Sequence, residues 1–215
     1  MPIYATDNGG GDDFKLVTPG MHPAVCDMMV DLGLQEQKSP LYGDSIKHQV
    51  YIRWQIPGER LEYEKDGQKI EGPMTIGSYY TLSLNEKATL RKHLQGWRGK
   101  EFSAEEAAKF DISAVLGKPC TLNVIHKTGN DGKVRAKVEG VGPPMKGVPP
   151  AELEGEPILY DGGEDQSPVW NKLRPWMHEA IKRQVQQTEP EQRGPSRPEG
   201  HIPGFDADLD DDVPF

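Results

Sequence analysis

Residues 48–56 read His48-Gln49-Val50-Tyr51-Ile52-Arg53-Trp54-Gln55-Ile56. In an extended chain successive side chains point to opposite sides, so Val50, Ile52, Trp54 and Ile56 share one side and Tyr51, Arg53 and Gln55 the other. β-Branched and aromatic residues in strict alternation predict a strand with one side in a core. Trp54 lies with Val50 and Ile52 and is read as core. The opposite side carries a ring and a guanidinium, and its use decides how the fold works.

The segments on either side repeat the pattern. In residues 21–32, Ala24, Cys26, Met28, Val30 and Leu32 are expected on one face, with Val25, Asp27, Met29 and Asp31 on the other. Residues 33–46 read as a loop. Residues 57–72 are polar and Gly-bearing, with Asp66-Gly67 as a hairpin turn. Residues 73–84 give a third strand, with Met74, Ile76, Tyr80, Leu82 and Leu84 inward and Thr75, Tyr79, Thr81 and Ser83 outward. Gly77 marks a bulge in this reading.

The period then changes from two to helical. Ser83-Leu84-Asn85-Glu86 offers a capping box, with Asn85 as a competing N-cap, and Leu90, Leu94 and Trp97 recur along one helix face. A second capping box, Ser103 to Glu106, opens a short helix that Phe110 pins to the core. Residues 112–116 add a turn closed by Gly117. Residues 119–127 and 133–141 are two further strands, joined through Asn130-Asp131-Gly132. Three strands, a helical stretch and two strands is the element order of the OB-fold. The expected class is therefore mainly β (α+β): a five-stranded OB-fold barrel with a helical insertion between strands three and four, longer than a single helix needs.

Charge divides the chain of 215 residues and net charge −9 into unequal parts. Residues 1–13 hold three Asp and no base and read as a flexible leader. Residues 14–150, the barrel domain, carry 19 Lys and Arg against 16 Asp and Glu. Residues 151–215 carry 6 against 15. Within them, 151–187 is an acidic connector with a helix starting at Pro175, which docks on the barrel or on a second subunit to make a homo-oligomer. Residues 188–204 have the composition of a disordered linker, and 205–215 are an acidic tip. Cys26 and Cys120 sit in apolar runs and read as buried free thiols. No apolar run reaches a membrane span, and the first residues lack signal-peptide character. A cytoplasmic protein, of a bacterium or a phage-infected host, is expected.

Single-stranded DNA needs cations for phosphates and faces on which bases can stack. The outward residues Tyr51, Arg53 and Tyr79 supply the faces and one charge. Lys133, Arg135 and Lys137 form a stripe on strand five. Lys87, Arg91, Arg98 and Lys100 make a second patch around Trp97. Each has an ordinary alternative: sheet-surface packing for the tyrosines, a solvated or aggregation-guarding edge for the stripe, a solvated helix face for the patch. Asp27 and Asp31 count against a DNA path along strand one. Enzyme chemistry finds little support. The six His do not pair at metal-ligand spacing, no phosphate-loop or nucleophile-elbow motif occurs, and the tip lacks the Gly and distal Glu of a calcium loop. No catalytic residue, metal or cofactor is expected.

The chain ends Asp206-Ala-Asp-Leu-Asp-Asp-Asp-Val-Pro-Phe215. A terminal ring suits a pocket, its α-carboxylate a basic rim, and the aspartates long-range attraction. This ending resembles the tip of bacterial single-stranded DNA-binding proteins, which also place an OB domain, a Pro/Gly/Gln-rich linker and an acidic tip in this order. The stretch Trp97–Lys127, WRGKEFSAEEAAKFDISAVLGKPCTLNVIHK, looks like phage-encoded replication-associated DNA-binding proteins. The resemblance implies that Asp210, Asp211, Asp212, Val213, Pro214 and Phe215 bind partner enzymes of replication, repair and recombination. The body is longer before its linker than in the usual bacterial protein, so no DNA contact is carried over. Two functions follow as expectations: sequence-independent single-stranded DNA binding with enzyme recruitment, or an adaptor that imitates such a tip and binds host repair proteins without DNA. In the first, the acidic end competes with DNA for the basic body.

Overall fold

The computed structural model describes residues 15–38, 43–65, 68–163 and 168–185. The leader, Asp66-Gly67, the linker and the tip lie outside them. The chain is mainly β. Five long strands, β1 (Gly20–Gln37), β2 (Ser45–Lys65), β3 (Gln68–Thr81), β4 (Pro119–Thr128) and β5 (Val134–Gly142), pair antiparallel in the order β3-β2-β1-β4-β5. They curl into a half-barrel whose two outer strands, β3 and β5, approach without forming a ladder.

Helix α1 (Thr89–Arg98) closes that opening. Its buried Leu90, Leu94 and Trp97 enter the core, and Trp97 Nε1 donates to Pro119 O at 2.9 Å. His93 spans the gap, with Nδ1 2.8 Å from Tyr80 Oη on β3 and Nε2 3.2 Å from Glu139 O on β5. A carbonyl only accepts, so Nε2 carries the proton and Nδ1 accepts from the tyrosine. Gly96 lies so close to β5 that a Cβ there would stand 2.3 Å from Val141 O.

The main core contains Ala24, Cys26, Val50, Ile52, Trp54, Ile56, Met74, Ile76, Tyr80, Leu122, Val124 and Val138. The alternation of β2 and β3 therefore holds, but that of β1 does not. Ala24 and Cys26 face the main core, whereas Met28, Val30 and Leu32 belong to a second core on the other side of the sheet. The reason is a bulge: Cys26 pairs with Trp54 and Met28 with Arg53, leaving Asp27 as the extra residue. One extra residue inverts the side chains that follow it, so Met29 replaces Met28 in the main core. Leu32 is a second extra residue, and the strand continues to Gln37 through what reads as loop.

The second core is built by the connector. A short strand β6 (Ile158–Tyr160) pairs parallel with Met28–Val30, and α3 (Pro175–Lys182) begins with proline in its first turn, as the sequence indicates. Tyr160, Leu173, Met177 and Ile181 pack on Met28, Val30 and Leu32. Gln35 Nε2 donates to Ala180 O at 3.0 Å, and Val185 N to Leu34 O at 2.8 Å. Helix α3 thus docks on the barrel of its own chain.

Other local readings change. Within residues 57–72 the strands run further than the alternation marks: β2 and β3 stay paired to Lys65–Gln68, on either side of Asp66-Gly67, past an irregularity between Ile56 and Arg60. Pairing runs unbroken through Gly77, so no bulge lies there. The glycine instead leaves room for the Tyr51 ring, which a Cβ would meet at 2.1 Å. The box at Ser83–Glu86 does not cap α1. Its N-cap is Ala88, while Ser83 and Asn85 side chains close the preceding turns by accepting from Asn85 N and Lys87 N. The box at Ser103 is complete: Ser103 Oγ accepts from Glu106 N at 3.1 Å and Glu106 Oε2 from Ser103 N at 3.3 Å, opening α2 (Ala104–Lys109). Among the described residues, no helix is long and apolar enough to cross a membrane.

Candidate nucleic-acid interface

Tyr51, Arg53 and Tyr79 do share the outer side of the β2–β3 sheet, and the connector covers them. Trp176 of α3 meets Tyr51 edge-on with ring centres 5.1 Å apart and Tyr79 at 5.6 Å, while the two tyrosines stand 5.1 Å apart. Burial is the main cause raising both phenol pKa values, opposed at Tyr51 by Arg53 and Arg174. All three rings are half-buried and pack on one another, which leaves less of each tyrosine for a base to stack on.

Arg53 is committed as well. Its Nε lies 3.1 Å from both Asp27 oxygens and its Nη2 donates to Asp27 Oδ2 at 2.7 Å. Asp27 is 3% exposed and the Arg53 side chain 14%. Gln55 completes the group, since its Nε2 donates to Glu154 O and its Oε1 accepts from Glu154 N, both at 3.0 Å. An amide side chain here imitates one rung of a β-ladder and fastens the connector to β2. Polar residues at alternate positions normally face water, and here they face another part of the chain.

The stripe on β5 has a different setting. Lys137 stands opposite Ile125, and Arg135 opposite Lys127. Directly opposed residues of an antiparallel pair share a face, so these four side chains point the same way. Asn123 precedes Ile125 by two on β4, and Met21 of β1 pairs with Asn123. The outer face of β1, β4 and β5 therefore presents Met21, Asn123, Ile125, Lys127, Arg135 and Lys137, with Lys133 in the adjoining turn. Met21 is 58% exposed, the largest value among the exposed apolar residues described. Arg135 holds Asp131 through two hydrogen bonds of 2.5 and 2.9 Å, which keeps that carboxyl well below its ordinary range. Lys127 and Met21 were not singled out in the sequence. Extending the alternation of Thr121, Asn123 and Ile125 by one step finds Lys127.

The helix patch disperses. Arg91 donates to Leu84 O and Phe102 O, tying down the loop around the helix. Arg98 lies over Phe102 and Phe110 at 4.2 and 4.9 Å and pairs with Glu106 at 2.8 Å. Lys100 binds the same carboxylate at 2.8 Å. Lys87 is exposed. Asp210, Asp211, Asp212, Val213, Pro214 and Phe215 lie outside the described residues.

An open cleft of about 590 Å³ is lined by Met29, Leu82, Leu84, Phe110 and Leu159 and includes Asp31, Asp111 and Asp161. Asp31 is held by His48 at 2.6 Å. Among the described residues, no group of three His, Cys, Asp or Glu is placed to hold a metal ion. Compared with known proteins, the chain matches no family model and no curated sequence.

Proposed function

We propose that the protein binds single-stranded DNA without regard to sequence, as a non-enzymatic component of replication, recombination or repair. The observation that carries this reading is the strand order β3-β2-β1-β4-β5, with α1 and α2 between β3 and β4. We read this order as that of an OB barrel, a scaffold suited to oligonucleotides. A scaffold alone does not specify a ligand, and the cations across β4 and β5 supply the chemistry. The acidic end with its terminal Phe215 supplies the second half of the reading, recruitment of partner enzymes.

A second reading is an adaptor whose tip engages repair enzymes while the body binds protein. It is favoured by the occupied state of Tyr51, Arg53 and Tyr79, the residues that would have stacked and paired with DNA. A fluorescence anisotropy titration of the full chain with labelled oligo-dT and a matching duplex, across a salt series, decides between them. Salt-sensitive binding of oligo-dT in preference to duplex supports the first. Its absence rejects the first and leaves the adaptor.

A further inference from the structure

We infer that the cleft bordered by Leu159 is a docking site for an extended segment of a partner protein, one that carries Lys or Arg beside an apolar side chain. The site goes beyond the DNA reading and is tested apart from it.

The cleft follows from how β1 changes partners. Strand β4 accompanies β1 from Gly20 to Val25 only, and β6 pairs with Met28–Val30. The alternation of β6 sends Ile158 and Tyr160 to the second core and leaves Leu159 on the other side. Leu159 stands opposite Met29, whose side chain is in the main core. At this end the main core is therefore reached from outside, between Leu159, the chain after β3 and the chain after α2. Met29 and Val50 meet the opening from the core side, Leu82 and Phe110 from the two loops. Its volume of about 590 Å³ lies within the roughly 300–1,000 Å³ of ligand pockets.

Charge names the occupant. Asp31, Asp111 and Asp161 line the cleft with one cation, Lys109. Among the described residues, no Lys or Arg is ion-paired with any of the three, and His48 alone meets Asp31. Each carboxylate is oriented by a main-chain N–H. Gly33 N donates to Asp31 at 2.8 Å, Ser113 N to Asp111 at 2.9 Å and Gly163 N to Asp161 at 3.2 Å. The bonds from Ser113 also hold the Asp111 carboxyl below its ordinary range. Carboxylates so placed repel a phosphate chain and attract ammonium and guanidinium groups. An apolar side chain enters the cleft, while long Lys or Arg side chains at neighbouring positions reach the rim.

Fluorescence anisotropy of the full chain with labelled peptides tests this, the probes being Lys-Leu-Lys-Phe-Lys, Glu-Leu-Glu-Phe-Glu and Lys-Ser-Lys-Ser-Lys. The first is expected to bind saturably and at least ~5-fold more tightly than either of the others. D111N/D161N keeps an acceptor at both turns and is expected to weaken it at least ~5-fold. L159S changes an exposed side chain and no charge, and is expected to weaken it at least ~3-fold. Neutralising part of the acidic end instead, as D210N/D211N/D212N, is expected to change affinity less than ~2-fold. Methyl resonances of Leu82, Leu84 and Leu159 should shift on binding. Equal affinity for the probes, undiminished binding by both cleft variants, or shifts confined to other methyls would overturn the assignment. So would self-association of the wild-type chain in sedimentation that D111N/D161N abolishes, because a second copy would then occupy the cleft. Failure of the oligo-dT titration would leave this site standing, and failure of the probe peptides would leave the DNA reading standing.

Discussion

The ring of Tyr51 lies across the backbone of Gly77 on the neighbouring strand, so close that a Cβ at Gly77 would fall 2.3 Å from Cζ and 2.1 Å from Oη. Tyr51 cannot swing away freely, because Tyr79 and Trp176 flank it. G77A should therefore push the ring against α3 and cost about 1–3 kcal/mol, as overpacking does. Urea unfolding of G77A measures this. Stability equal to wild type would mean that the ring has room which its contacts do not show.

The Arg53–Asp27 pair should be asymmetric under mutation. Removing only Arg53, as R53M, leaves a carboxylate that is 3% exposed without its partner, a change that costs about 3–5 kcal/mol. Replacing both, as D27L/R53M, removes the stranded charge and should recover much of the loss. Chemical denaturation of the single and double variants tests the ordering. A double variant weaker than R53M would show that the pair is needed for its geometry and not only for its balance of charge.

Acid should loosen the α2 corner. Lys100 first, then the Ser103 backbone and Arg98, hold the Glu106 carboxyl at about 2, below its ordinary value of 4.5. A carboxylate with depressed folded pKa contributes stability above its unfolded pKa, and this is lost as pH falls from about 4.5 towards about 2. E106Q should flatten the stability profile in that window and leave its shape above pH ~6 unchanged. Parallel melts of both proteins at stepped pH provide the comparison. Identical acid limbs would remove Glu106 from the account.

The two thiols should report global unfolding. Cys26 and Cys120 are buried, and burial is the chief cause raising both pKa values far above the ordinary thiol range. Neither forms thiolate at neutral pH in the folded state. Labelling by a thiol reagent should proceed at the rate of opening and accelerate in step with denaturant. Fast labelling of native protein would place one cysteine at a locally open site.

The acidic end should weaken DNA binding by the body. Deleting residues 205–215 removes a run of aspartates and should tighten oligo-dT binding, most at low salt where screening is least. Equal affinity of the full and shortened chains across the salt series would discard this competition.

Much of the half-barrel is visible in the sequence because alternation reports which residues share a side. Residues 48–56 and 74–80 keep strict register, and their inward residues are in the core. Alternation does not report where a strand inserts a residue. At Asp27 nothing local distinguishes a bulge from continuation; the choice is made by pairing with Trp54 and Arg53, far along the chain. Nor does it report what lies on a side. Tyr51, Arg53 and Gln55 were correctly placed together, but their cover comes from Glu154 and Trp176, more than 90 residues on. The β5 stripe was legible for a complementary reason: short hairpins fix both faces from local sequence alone, and Gly132 with φ 75° turns this one.

The bulge at Asp27 also limits how this protein can be taken apart. Upstream of it Ala24 and Cys26 serve the barrel; downstream Met29 still does, while Met28, Val30 and Leu32 serve the connector, so a single strand is the backbone of both cores. A chain stopped at Pro150 would keep every strand of the half-barrel yet bare Met28, Val30, Leu32, Tyr51 and Tyr79 as one greasy stripe. Such a fragment would be sticky, and its apparent affinities would describe that stripe. Dissecting the molecule therefore has to begin beyond Val185, which keeps the described members of both cores in the chain.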